Sequence, residues 1–492
     1  MNALLIYPKF PDTFWSFTYA LSFIGKKSAF PPLGLLTVAS LLPEQWSKRL
    51  VDVNVENLTD KDLLWADVAF IGGMAVQRKS ARQIINRCKV LNLRIVAGGP
   101  LFTSEPDEFA EVDHLVLDEA ELTLPAFLAD LKSGRPRKIY RASGFPNLCD
   151  TPAPSWDLIK TKRYASMSIQ FSRGCPFNCE FCNVTTLFGH RPRMKTPAQI
   201  TNELDRIYAS GWRSSIFFVD DNFIGNKAYL KTHLLPALIE WRKDKKGCVF
   251  FTEASINLAD DPELLDLMAK AGFDTVFIGI ESPDEVSLTE CHKTQNKNRN
   301  LLESVAIIQR SGLQVMGGFI VGFDSDAPSI FQRQIDFIQK SGIVTAMVGL
   351  LQAPPGTRLF ERLSRESRVV NTFSGDNVDG TTNILPRMGI DSLLAGYQSI
   401  MKQIYSPKNY YRRVRTLLKE LKAPEFRQPI NLQRFLSFFR SAFRLGVLGK
   451  ERFQYWQLML WTLICKPRLM SVAITLSIYG HHYRKICERY IY

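Results

Sequence analysis

Cysteine is scarce in this sequence, with nine among 492 residues, and their scatter excludes a disulfide framework and points to a reducing compartment. Long apolar runs are missing too. No stretch reaches the roughly 18 consecutive apolar residues that a membrane span requires, and the best, 455–465 and 469–479, are broken or ended by polar and basic side chains. Residues 1–8 lack the basic flank, long apolar core and small-residue cleavage site of a secretory leader, so they read as a buried strand stopped by Pro8. The expected location is cytoplasmic. There is no G-x-G-x-x-G, which leaves a dinucleotide site unsupported, and no short repeat or low-complexity segment.

Acidic residues are also in short supply, 48 against 62 Lys and Arg, for a net charge of +14. The imbalance is local. Residues 411–492 hold sixteen Lys or Arg against four Glu, a net of +12, so the rest of the chain is nearly neutral. With 46% hydrophobic and 22% charged residues the composition is that of a globular enzyme, and the length suggests about three domains.

Across 1–145, β-branched runs at 3–7, 49–55, 68–72, 94–97 and 114–117 alternate with helical stretches. That pattern predicts an α/β domain with a doubly wound, Rossmann-like parallel sheet. Two runs end in paired glycines, Gly72-Gly73 and Gly98-Gly99, at the carboxyl ends of strands where open α/β sheets place their ligands. Residues 146–164 read as a linker, marked by Pro146, Pro152 and Pro154. From 165 to 384 the alternation resumes, with runs at 166–171, 215–219, 249–252, 275–280, 314–321 and 345–350. Six βα units without a hairpin predict a partial (β/α)6 barrel whose chemistry sits beyond the carboxyl ends of its strands. Residues 385–492 read as a basic, aromatic-rich helical extension.

The first barrel strand runs into Ser172-Arg173-Gly174-Cys175-Pro176-Phe177-Asn178-Cys179-Glu180-Phe181-Cys182. Three thiolates spaced C-x3-C-x2-C on a loop kept from being helical can converge on one metal centre, and three ligands on a four-iron cube leave one iron open. A zinc site completed by His190 is the competing reading, but structural zinc usually sits in paired knuckles of small modules. The other six cysteines stand alone and read as ordinary core residues. Polar groups follow the later strands: Asp220, Asp221 and Asn222 after the second, Glu253 and Ser255 after the third, Glu281 and Ser282 after the fourth.

The cysteine motif, with Phe181 before its third cysteine, resembles the radical S-adenosylmethionine (SAM) superfamily signature. That resemblance implies a [4Fe-4S] cluster on Cys175, Cys179 and Cys182, SAM on the open iron, and a 5′-deoxyadenosyl radical that takes hydrogen from substrate. It implies SAM contacts from Phe181, Asp220, Asp221, Glu253, Ser255 and Glu281, although Val219-Asp220-Asp221-Asn222 stands where the family often has Gly-Gly-Glu. The N-terminal domain resembles the cobalamin-binding domain of B12-dependent radical SAM enzymes through Pro31-Pro32-Leu33-Gly34-Leu35, Gly72-Gly73, Gly98-Gly99-Pro100 and Asp118-Glu119-Ala120-Glu121. Cobalamin contacts are expected from Gly72, Gly73, Met74, Gly98, Gly99 and Glu119. Asp-x-His-x-x-Gly is absent and His114 lies within a strand, so cobalamin is expected to bind without a histidine below cobalt. The extension resembles that of the branch that includes hopanoid C-2 methylases.

These resemblances imply methylation of an unactivated carbon, with a reductant such as ferredoxin or flavodoxin; the basic, Phe-faced tail adds the expectation of a small hydrophobic, lipid-like or isoprenoid-like substrate. A cyclisation, hydroxylation or rearrangement with the same cofactors is the alternative. For the basic tail three readings stand: a helix peripheral on the inner, anionic face of a membrane, packing on the barrel, or a nucleic-acid-binding modification protein. Phe435, Phe439 and Phe443 recur at i, i+4 and i+8, which is a helix face rather than scattered stacking platforms and disfavours nucleic acid.

Overall fold

A computed structural model describes residues 1–376, 378–423, 426 and 432–491. The first sheet is wholly parallel, β1 (Asn2–Tyr7), β2 (Ser47–Asp52), β3 (Val68–Gly72), β4 (Arg94–Gly98), β5 (His114–Val116) and β6 (Ile139–Tyr140), in the order β2-β1-β3-β4-β5-β6. Its strands read as near-continuous apolar runs because helices cover both faces: Leu4, Ile6, Ala69 and Ile71 enter one core, Ala3, Leu5, Val68 and Phe70 the other. The order reverses between β1 and β3, which opens a crevice at their carboxyl ends. β6, only two residues long, was not apparent in the sequence because so short an edge strand carries no periodicity.

Residues 146–164 cross to the second sheet through three short 3-10 turns, with Trp156 buried. That sheet is β7 (Met167–Ile169), β10 (Ser215–Phe218), β11 (Val249–Ala254), β12 (Phe273–Glu281), β13 (Gln314–Val321) and β14 (Ala346–Leu350), parallel and in sequential order. The strand expected over 166–171 is shorter. Its chain leaves the sheet after Ile169 because the Asp220 carboxylate captures the backbone N–H groups of Phe171 and Ser172. The chain then forms β8 (Ser172–Arg173), paired antiparallel with β9 (Arg193–Met194).

Residues 10–30 pack across the open side of the barrel rather than merely linking two elements. Trp15 donates to the Met347 sulfur at 3.0 Å and meets Phe277 edge-on at 5.4 Å. The extension holds this segment in place: Phe14 stacks on Tyr483 with ring centroids 4.2 Å apart, and His482 Nε2 lies 3.0 Å from the Phe14 carbonyl. Five longer helices, Ile390–Ile404, Pro407–Glu420, Leu432–Gly446, Arg452–Cys465 and Met470–Tyr490, make up the extension. Its basic charge is partly consumed inside. Arg413 is fully buried, donating to the Ile404 and Val344 carbonyls, and Arg484 pairs with Glu451. Among the described residues no helix is long and apolar enough to cross a membrane.

Candidate active site

The cysteine loop leaves β8 through Gly174, whose φ of +95° places it in the left-handed region, and a Cβ there would sit 2.8 Å from the Arg191 carbonyl oxygen. Only glycine enters the loop this way. Cys175, Cys179 and Cys182 are all half-buried. Burial pushes the Cys182 thiol up to about 12 and raises Cys175 as well, so metal binding must displace their protons. Among the described residues no three Cys, His, Asp or Glu side chains close around a single ion. A cube spreads its ligands over different irons and needs them farther apart than one zinc would, and His190 is exposed, so the zinc reading has no completed site. Three soft thiolates with amide donors beside them suit an iron-sulfur cube. Asn222 Nδ2 and Gln295 Nε2 each lie 3.9 Å from a sulfur, of Cys175 and Cys179 respectively.

The loop is clamped from behind by the helix Arg358–Arg365. Arg362 Nε donates to Glu180 at 2.7 Å and its Nη1 to Asp324 at 2.8 Å, the Leu359 N–H meets the Glu180 carbonyl at 3.0 Å, and Arg358 donates to the Asn178 carbonyl at 2.7 Å. Arg362→Ala leaves the largely buried Glu180 carboxylate without its guanidinium. The expected results are less iron retained per chain after reconstitution and a stability loss of about 1–3 kcal/mol, measured by iron content and urea unfolding.

On the other side, Arg173 and Arg193 tie the loop to the first domain. Glu119 accepts from Arg173 at 2.6 Å and from Arg193 at 2.7 Å, and Glu121 pairs with Arg173 at 2.8 Å. Although burial opposes charge on Glu121, Arg173 holds its carboxyl below the ordinary range. Glu119, an expected cobalamin contact, lies at the cavity wall with both oxygens engaged in interdomain ion pairs, so it also braces the two domains.

A cavity of about 1860 Å³ joins the two domains. Single small-ligand pockets reach about 1,000 Å³, so this one has room for several groups at once. One end is the crevice beyond β1 and β3, where Gly72, Gly73, Met74, Gly98 and Gly99 line the wall. Gly99 has a φ of +89°, and a Cβ at Gly73 would meet nothing nearer than 3.7 Å, so bare backbone faces an open shelf. That shelf fits a flat macrocycle. Among the described residues no histidine lines the cavity; His114 is buried, with its Nδ1 2.7 Å from the Arg137 carbonyl.

The other end is the barrel lumen, where Asp221 and Glu253 line the same space. Asp221 Oδ2 is buried without a hydrogen-bond partner. Burial, then the neighbouring Asp220, pushes Asp221 up to about 7; burial, then Asp221 and Asp220, pushes Glu253 up to about 8. Two buried carboxyls sharing one space would be stabilised in their charged form by a cation placed between them. Phe181, Asp220, Ser255 and Glu281, also expected to contact SAM, do not line this cavity. Asp220 is spent on the N–H of Phe171 and on Ser172, Phe181 packs toward Phe323 at 6.3 Å, and Ser255 donates to Asn222 and Asn257. Glu281 sits at a register shift of β12 with a φ of +63° and binds Lys293 Nζ at 2.6 Å. Burial works against the Lys293 charge, but Glu281 and then Cys179 keep it protonated. Lys293, Gln295 and Arg362 carried no signal in the sequence, being single polar residues in loops or on a helix face.

A doubly wound domain set on a six-stranded parallel barrel with a three-cysteine loop defines a radical SAM enzyme carrying an N-terminal cofactor domain. Comparison with known proteins agrees. The Radical SAM superfamily model matches residues 169–338, and Domain of unknown function (DUF4070) matches 357–491. An uncharacterized methyltransferase of Synechocystis sp. is 42% identical over all of this chain and 93% of its own length. The hopanoid C-2 methylase of Rhodopseudomonas palustris is 35% identical over 94% of this chain and 89% of its own. The fold is that of OxsB, a cobalamin-dependent SAM radical enzyme solved with aqua-cobalamin (TM-score 0.63, 16% identity, 99% of this chain and 84% of that one). It is also that of the radical SAM methyltransferase TsrM from Kitasatospora setae (TM-score 0.60, 15% identity, 99% and 100%). The chain belongs to the radical SAM family that includes the hopanoid C-2 methylase and carries a DUF4070 C-terminal domain, and whose chemistry uses a [4Fe-4S] cluster and SAM.

Proposed function

We propose that this chain moves a methyl group from SAM to an unactivated carbon of a hydrophobic, lipid-like or isoprenoid-like substrate. One observation carries the reading: the glycine shelf and the Asp221–Glu253 pair open into a single cavity, walled between them by Trp15, Phe30, Phe217, Phe251, Phe277 and Met316. An apolar substrate in that lumen lies between the two cofactor positions, out of water. The 35% identical relative is a hopanoid methylase, which supports the same substrate class. When bound, the cluster with SAM and the cobalamin supply the hydrogen-abstracting radical and the methyl carrier. The chain's part is placement. Asp221 and Glu253 offer negative charge to the SAM ammonium, Lys293 and Glu281 fix the strand end beside the cluster, and the aromatic wall holds the substrate. The electron comes from a low-potential partner such as ferredoxin or flavodoxin.

The test is anaerobic turnover of the iron- and cobalamin-loaded protein with SAM labelled on its methyl group and an isoprenoid lipid extract. Both 5′-deoxyadenosine and S-adenosylhomocysteine should form, with label entering the lipid. Deoxyadenosine formed alone, with product unlabelled, would replace methyl transfer with a cyclisation, hydroxylation or rearrangement.

A further inference from the structure

The helices Leu432–Gly446 and Arg452–Cys465 form a hairpin whose outer surface is unusually apolar. Phe435, Phe439 and Phe443 are 55%, 52% and 58% exposed although they share one helix face. On the second helix Phe453, Trp456, Leu460 and Ile464 do the same at i, i+3, i+7 and i+11, with Ile464 78% exposed. Val447 and Leu448, in the turn, join the two stripes. Scattered exposed apolar residues need no explanation, but paired stripes on adjacent helices do. The opposite faces are accounted for: Leu445, Tyr455, Leu458 and Met459 are buried in the core, and Arg440 and Arg444 reach back to the Phe23 carbonyl and to Ser22.

Charge identifies what covers the stripes. Residues 432–468 contain seven Lys or Arg and one acid, Glu451, which is itself buried against Arg484. Lys450, Arg452 and Arg468 stand exposed around the apolar surface. A second copy of the chain would set like charge against like charge. Nucleic acid would use the aromatic rings but leave Leu460, Ile464, Val447 and Leu448 in water, because aliphatic side chains are not stacking platforms. An anionic bilayer satisfies both features, with acyl chains for the stripes and headgroups for the cations.

The same hairpin also closes the foot of the barrel. Arg434, Phe435 and Phe438 line the cavity there, with Arg468 of the following turn, beside Asp274 and Gln314 at the start of β12 and β13, while Asp221 and Glu253 line it at the top. Phe435 therefore belongs both to the exposed stripe and to the cavity wall. A barrel lumen is ordinarily filled by its own side chains; among the described residues, those lining this cavity run from foot to mouth.

We infer that the hairpin docks the enzyme on an anionic membrane and that an apolar substrate passes from the bilayer, by Phe435, into the foot of the barrel. Docking stands without the methyl-transfer reading, whereas the delivery route rests on it.

The experiment is co-sedimentation of the full chain with vesicles of phosphatidylglycerol and phosphatidylcholine, and with phosphatidylcholine alone. Binding should require the anionic lipid and weaken with salt, and the Phe453→Ser/Ile464→Ser double variant should lose roughly tenfold or more in affinity. Both sites are exposed, and an unchanged melting curve verifies that the fold survives. A phosphatidylglycerol with a photoreactive acyl chain should label peptides within 432–465. The proposal is overturned by indifference to anionic vesicles at low salt, by a double variant that binds as well as the parent, by label confined elsewhere, by tighter binding to tRNA, or by a dimer that buries the stripes. None of these outcomes bears on the labelled-methyl test, so the two readings fail separately.

Discussion

Replacing any one of Cys175, Cys179 or Cys182 with Ala lowers reductive cleavage of SAM on the order of a thousandfold or more, to background. The loop supplies three thiolates, and among the described residues no further Cys or His completes a metal site with them. Cys291 is buried with its backbone carbonyl bonded to the Glu180 N–H, and Cys88 lies in the other domain's core. Cys88→Ala accordingly leaves deoxyadenosine production intact. The measurement is 5′-deoxyadenosine formed per chain under strong reductant, with iron content measured beside it. Full production from any of the three loop variants would remove the cluster assignment.

The second large effect is a fall in the stability of the cofactor-free protein as pH rises from about 6.5 to about 8.5, by about 2–3 kcal/mol. Asp221 and Glu253 titrate in the folded chain at about 7 and about 8, against about 4 once unfolded. The folded state therefore binds more protons than the unfolded state across this window, and stability present below about pH 4 is lost as pH rises through the folded values. Other buried carboxyls, Asp220, Asp274 and Asp326, titrate near 6 and act earlier. His482, lowered to about 4 by burial, changes charge only on the acid side when folded. The buried thiols of Cys88 and Cys248, raised to about 11, and of Cys182, raised to about 12, add a loss of the same sign above about pH 8, because only the unfolded chain ionises them there; the span from about 6.5 to about 8 belongs to the cavity pair. An Asp221→Asn/Glu253→Gln variant should lose most of the fall in urea midpoint between about pH 6.5 and about pH 8, and above neutrality SAM should protect the cluster-loaded parent more than the cluster-loaded variant. A slope unchanged in the variant would show that the pair stays ionised and meets the cation site some other way.

Where sequence and structure part company, the cause is contact between residues far apart in the chain. Asp220 and Asp221 are adjacent and of the same residue type, so nothing in the sequence separates them. Alternation along the chain end turns one toward the backbone of Phe171 and Ser172 and leaves the other with a bare oxygen in the cavity. Glu119 read as a cofactor contact because of its place after β5, but Arg173 and Arg193 arrive from another domain and occupy it. The tail offers a similar lesson. Helical periodicity predicted its faces, yet burial of Arg413 and the capture of residues 10–30 by Phe14 and Tyr483 follow only from packing.

The amino-acid sequence by itself determined the two sheets, the three-cysteine loop and the glycine-ended strands, because these are local: strand periodicity, ligand spacing and backbone freedom are all properties of short segments. Only the tertiary structure decided that the glycine shelf and the Asp221–Glu253 pair face one cavity, that Lys293, Gln295 and Arg362 surround the cluster loop, and that the hairpin stripes remain uncovered. Those properties are sums over elements distant in the chain. Burial, which sets both the carboxyl titrations and the exposed surface, exists only once the elements have packed.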